Sequence, residues 1–121
     1  MGRRSRQRRR EDPAAAPPGV EFTDDAGNVL ALRERLSQGT LKQLAELHAR
    51  PAASQEDRWQ RRMEFLFERF TLSWTIAGLP LSGQKELLGR YRMADDATRR
   101  WVRQTIEEHL RTAHPEVTEP S

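Results

Sequence analysis

Between residues 55 and 77 the chain repeats large apolar side chains at helical spacing. Trp59, Met63, Leu66, Phe70, Trp74 and Ala77 form one stripe, and Phe65, Leu72, Ile76 and Leu79 form a second. A helix with one apolar stripe lies on a core, and one that is apolar on most sides lies inside it. The spacing therefore predicts one long helix over 55–77, with the rest of the chain packed around it. Ser54 can cap its start, Glu56 and Asp57 suit its positive first turn, and Gly78 and Pro80 stop it.

The flanking segments are shorter. From Thr40 the pattern is helical, with Leu41, Leu44, Ala45 and His48 on one face and Pro51 ending the run. Ser82 is placed to cap a short helix with Leu87, Leu88 and Tyr91 inward. Asp95 or Asp96 caps a last helix with Trp101, Val102, Ile106, Leu110 and Ala113 inward, ending before Pro115. Nearer the start, residues 20–23 alternate apolar and polar, residues 24–28 form a turn cluster, and a β-prone run follows at 29–32, the signature of a hairpin. Residues 30–33 equally fit the start of a helix. The expected fold is mainly α: a short N-terminal β-hairpin followed by about four helices around one long central helix. Residues 20–115 form this domain, with a disordered arm and linker over 1–19 and a disordered tail over 116–121.

Six of the first ten residues are arginine: Arg3, Arg4, Arg6, Arg8, Arg9 and Arg10. The whole chain carries a formal charge of +3, and residues 11–121 hold 15 basic against 18 acidic groups. The arm thus accounts for all of the positive excess behind a pI near 10.1. Charge repulsion extends such an arm, and Pro13, Pro17 and Pro18 keep the linker out of any helix interior. A dense run of arginine suits phosphate or other anionic surfaces, so DNA or RNA is a candidate partner of the arm. Six phosphate contacts would give a log–log salt slope of about −4 to −5, at about −0.7 to −0.9 each. No aromatic side chain interleaves the arginines, which argues against a stacking single-strand binder.

Other classes are disfavoured by what is missing. The chain has no cysteine, hence no disulfide, thiolate nucleophile or Cys-based metal site, and a cytoplasmic location is the simplest expectation. The basic start is followed by EDPAAAPPG rather than an apolar run, unlike a secretory signal. The longest uncharged stretch, residues 70–84, contains Pro80 and two glycines and is too short to span a bilayer. Nineteen arginines against two lysines fit a GC-rich coding sequence.

Residues 78–85, GLPLSGQK, approach a phosphate-binding loop. That loop needs Lys directly after the second Gly and then Ser or Thr, whereas Gln84 intervenes and Glu86 follows. A helix–helix turn explains the segment more simply. His48, His109 and His114 form no cluster in sequence and suit helix C-termini, where they complement the dipole. The adjacent acids Asp24/Asp25 and Asp95/Asp96 fit turn and cap chemistry. No nucleophile, base or metal set emerges, so neither an enzyme nor a cofactor is expected.

The last helix presents Arg99, Arg100, Arg103, Gln104 and Arg111 outward. With the preceding short helix it could form a helix-turn-helix reader, placing Thr98, Arg99 and Arg103 near bases. Ion pairs from Arg103 and Arg111 to Glu107 give the simpler account, and Glu107 and Glu108 would repel phosphates.

Residues 20–32, the run Leu72-Ser-Trp74-Thr-Ile-Ala-Gly78-Leu-Pro80-Leu, and Met93-Ala-Asp-Asp96 with the helix after it make a recognisable layout. It resembles the tail assembly chaperones of siphophages: a β-rich start, a helix with Trp before a Leu-Pro step, a small helix, an acidic turn and a terminal helix. Arg58, Arg61, Arg62 and Arg69 add basic decoration to that layout. The resemblance implies a non-enzymatic protein that coats a tape-measure protein and recruits tail-tube subunits. The expected function is accordingly an assembly or adaptor role by protein–protein interaction, with a long coiled coil or a tube subunit as partner and no membrane. Nucleic-acid association through the arm is the alternative. Three tryptophans in a small polar domain leave room for an exposed aromatic anchor.

Overall fold

The computed structural model describes residues 19–117. The six arm arginines and most of the expected disorder at both ends lie outside the described residues; the exceptions are Gly19, where the first strand begins, and Glu116 and Val117, the latter donating its N–H to the His114 carbonyl at 3.0 Å and packing against the core. The elements are β1 (Gly19–Thr23), β2 (Val29–Arg33), α1 (Gln38–Ala49), α2 (Gln55–Phe70), β3 (Thr71–Ile76), β4 (Leu79–Leu81), α3 (Gln84–Met93) and α4 (Asp96–Ala113). The hairpin expected at the start is present, its turn closed by Asp24, whose carboxylate accepts from the N–H of Ala26 (2.9 Å) and Asn28 (3.0 Å).

The expectation of a mainly α fold is wrong. The hairpin is half of a four-stranded antiparallel sheet in the order β1-β2-β3-β4, and four helices accompany it. The expected central helix stops at Phe70, and its second half is β3. Two causes act together. Residues 71–76 read Thr-Leu-Ser-Trp-Thr-Ile, rich in the β-branched and aromatic side chains that suit a pleated surface. In addition, β2 has a second edge whose backbone groups need partners, and β3 supplies them. Leu30 pairs with Trp74 and Leu32 with Thr71, with a β-bulge between them. All four of these side chains are buried.

The residues read as a helix–helix turn are likewise part of the sheet. Ile76 pairs with Leu79 across the two-residue turn Ala77-Gly78, and both turn residues have positive φ, 52° and 81°. This is the geometry of a type I′ hairpin turn, whose twist matches that of the strands. Asn28 Oδ1 accepts from the Ala77 N–H at 3.1 Å and ties the turn to the other hairpin. A left-handed backbone costs an L-residue about 1–2 kcal/mol. Ala77→Gly should therefore raise stability by about 0.5–1 kcal/mol in urea unfolding, while Gly78→Val should lower it by more than about 1 kcal/mol.

One face of the sheet carries the core. Leu30, Leu32 and Trp74 meet Met63, Leu66, Phe67 and Phe70 of α2 and Val102, Ile106 and Leu110 of α4, all essentially without solvent exposure. Phe67 stands edge-on to Trp74 at 6.0 Å and stacks on Tyr91 of α3 at 5.0 Å. Phe67 belonged to neither expected stripe. On the opposite face Glu21, Thr23, Ala31, Ser73 and Thr75 are not buried. Among the described residues no helix is long and apolar enough to cross a membrane.

Helix starts follow their caps. Ser54 Oγ accepts from the Asp57 N–H at 3.0 Å, as the sequence suggests. α1 begins at Gln38, two residues earlier than expected, because Ser37 caps it: its Oγ accepts from the Thr40 N–H. α3 starts after Gly83 rather than on a Ser82 cap.

Candidate functional site

Asp95 sets the start and hence the rotation of α4. Its Oδ1 accepts from the Thr98 N–H at 2.8 Å, and hydrogen bonds from the Thr98 hydroxyl and N–H hold the carboxyl below its usual range. Val102, Ile106, Leu110 and Ala113 then face the core. Trp101, expected inward, is half-buried. Of the arginines expected outward, Arg100 and Arg111 are exposed, and Arg99 and Arg103 are half-buried.

Arg103 lies over Trp59, its guanidinium carbon 4.9 Å from the ring centroid. This is an attractive cation–π geometry. Trp59 was expected in the core but is 44% exposed. The start of α2 rests beside α4 rather than on the sheet, and α4 presents Arg103 there instead of an apolar side chain. Grooves flank the indole. One, of about 460 Å³, runs past Met63, Tyr91, Arg92 and Arg99. The other, of about 570 Å³, runs along Arg100, Gln104, Glu108 and Arg111.

α3 and α4 are separated only by Ala94 and Asp95, so the helix-turn-helix order exists. Its expected base-reading arginines are engaged within the domain. Arg99 pairs with Asp96 and donates to the Arg92 carbonyl at 3.2 Å, and Arg103 covers Trp59. Arg92 itself donates twice to Glu64, at 2.7 and 3.0 Å.

Arg62, expected as surface decoration, is 1% exposed. Its Nε and Nη2 donate to the two carboxylate oxygens of Glu107 at 3.0 and 2.8 Å, and its Nη1 lies 2.7 Å from His48 Nε2. Glu107 thus holds α4 to α2 across helices, beyond the expected pairing along its own helix. A guanidinium has only donors, so His48 must offer a lone pair and be neutral. Desolvation lowers His48 from its ordinary value, and the Arg62 charge adds to that. Arg62 stands four residues before Leu66 and eight before Phe70, on the buried side of α2. That spacing is the signal that could have found it.

The other two histidines also have specific partners. His109 Nε2 lies 2.7 Å from the Arg33 carbonyl, and its ring meets Phe22 and Phe70. His114 Nε2 accepts from the Leu36 N–H at 2.8 Å, and its Nδ1 is 3.4 Å from Glu116.

No phosphate cradle forms over residues 78–85. Gly78 turns a hairpin, and the Glu86 carboxylate folds back over Gly83 at the start of α3, where an anion would sit. Among the described residues no group of three or more His, Cys, Asp or Glu side chains could hold a metal ion. No protein-family model, curated protein or solved structure matches this chain.

Proposed function

We propose that this protein is a non-enzymatic assembly adaptor that binds another protein through Trp59 and the outer face of α4. The observation that carries the reading is the half-exposed Trp59, held under Arg103 between two grooves. Trp and Arg dominate the energetics of protein interfaces, and a ring already held in place loses little freedom on binding. A photo-crosslinking residue at Gln104, in the protein expressed in its own host, should give a discrete protein adduct that Trp59→Ala abolishes. No protein adduct, or one indifferent to Trp59→Ala, overturns the reading.

A place in phage tail assembly belongs to this proposal and rests on the layout of the chain. One element of that layout is altered, since Trp74 and the Leu79-Pro80 step stand on strands rather than at the end of a helix. A gene position just upstream of a very long tape-measure gene supports the assignment, and a ribosomal or regulator operon contradicts it.

Charge separation favours a second reading, association of the arm with DNA or RNA. Six arginines occupy the first ten residues, whereas residues 19–117 hold 15 basic and 15 acidic side chains. Intact protein should retard nucleic acid at low salt, and deletion of residues 1–10 should abolish the effect. Undiminished binding after deletion moves the contact to α4, and no binding by the intact protein leaves the adaptor reading alone.

A further inference from the structure

α1 is held to the domain by little apolar surface. Leu44 is its one buried residue, with Leu41 and Leu47 half-buried. Two polar ties stand at its ends. Just before the Ser37 cap, the Leu36 N–H donates to His114 Nε2. In the last turn, His48 Nε2 accepts from Arg62. In both ties the imidazole supplies the lone pair, so both bonds exist only while the rings are neutral. His109 differs, because its Nε2 faces a carbonyl and donates.

We infer that α1 is an acid-releasable flap: protonation of His48 breaks its bond to Arg62 and frees the last turn of α1 from α2. This inference stands apart from the adaptor reading, since no residue of α1 lines either groove beside Trp59.

The surroundings of His48 favour release. His48 faces Arg58 and Arg62 of α2 and Glu107 of α4. Both Glu107 oxygens are already taken by Arg62, so a proton on His48 Nε2 meets the Arg62 guanidinium head-on. At the other end the Leu36 N–H donates to His114 Nε2, and Glu116 faces its Nδ1. The sign follows for His48, whose proton affinity is depressed by folding. Its contribution is complete above the ordinary value of 6.5 and is lost as pH falls through that value towards the folded one. Release would uncover Phe65 of α2, which shares a groove with Leu47 and Arg50.

The test is hydrogen exchange of the full chain at about pH 7.5 and about pH 5, expressed as protection relative to the intrinsic rate at each pH. The amides of α1 should lose about tenfold or more in protection at the lower pH, the scale of one lost hydrogen bond, while α2, α4 and β2 keep theirs. Unchanged protection in α1, or a parallel loss throughout the domain, overturns the inference. The variant His48→Ala should show a released α1 at both pH values. Full protection of α1 in that variant would equally refute the flap.

Discussion

Glu107→Gln should destabilise the domain by about 3–5 kcal/mol, because it leaves the buried Arg62 guanidinium without its counter-charge. For a domain of this size that corresponds to a fall in Tm on the order of 15–30 °C. The loss is far larger than the strength of a typical exposed ion pair, since most of it is the cost of an uncompensated charge away from water. Replacing both partners, as Arg62→Met with Glu107→Leu, should recover most or all of the stability. Thermal unfolding of the single and double variants reads both effects. A Glu107→Gln protein as stable as Glu108→Gln, a change on the exposed side of the same helix, would sink the account.

Phe70→Ala and Phe67→Ala should each cost about 3–5 kcal/mol, through lost burial and the cavity left behind. Phe67 is flanked by Trp74 and Tyr91 and cannot be replaced by collapse of either ring without moving α3 or β3. Trp59→Ala should cost no more than about 1 kcal/mol, chiefly the cation–π contact with Arg103. Urea unfolding separates the cases: the midpoint should fall steeply for the two phenylalanines at an unchanged slope, and barely for Trp59. Equal losses at Trp59 and Phe70 would place the start of α2 in the core after all.

These contrasts show where the sequence was legible. The first hairpin, the Ser54 and Asp95 caps and, Trp101 apart, the buried stripe of α4 rest on local rules, and each stands where those rules put it. β3 was hidden by its own irregularity. The bulge places the inward side chains Thr71 and Trp74 three residues apart instead of two, which is a helical interval. Trp74 also lies four residues beyond Phe70, so the α2 stripe continues in register into a strand. The Ala77-Gly78 turn lacks the Asn or Asp that usually marks a type I′ hairpin, and its support comes from the distant Asn28. Arg62 was misread because arginine is almost never fully buried unless paired, and its partner lies 45 residues away. Trp59 illustrates the converse, since periodicity places a side chain on a face without saying whether anything covers it.

The strands lie in the sheet in the same order as in the chain, and this has a kinetic consequence. β1–β2 and β3–β4 close within a few residues, so each hairpin can form from local sequence alone. The single non-local seam is β2 against β3, which closes a loop of 37 residues containing all of α1 and α2. Loop-closure entropy is concentrated at that step, which makes it the natural bottleneck of folding. The exposed chain around Pro51 and Ser54 divides the two sides of the seam. Residues before it and residues after it each keep one complete hairpin, so the domain is divisible there into two pieces whose reassembly is the zipping of one pair of strands.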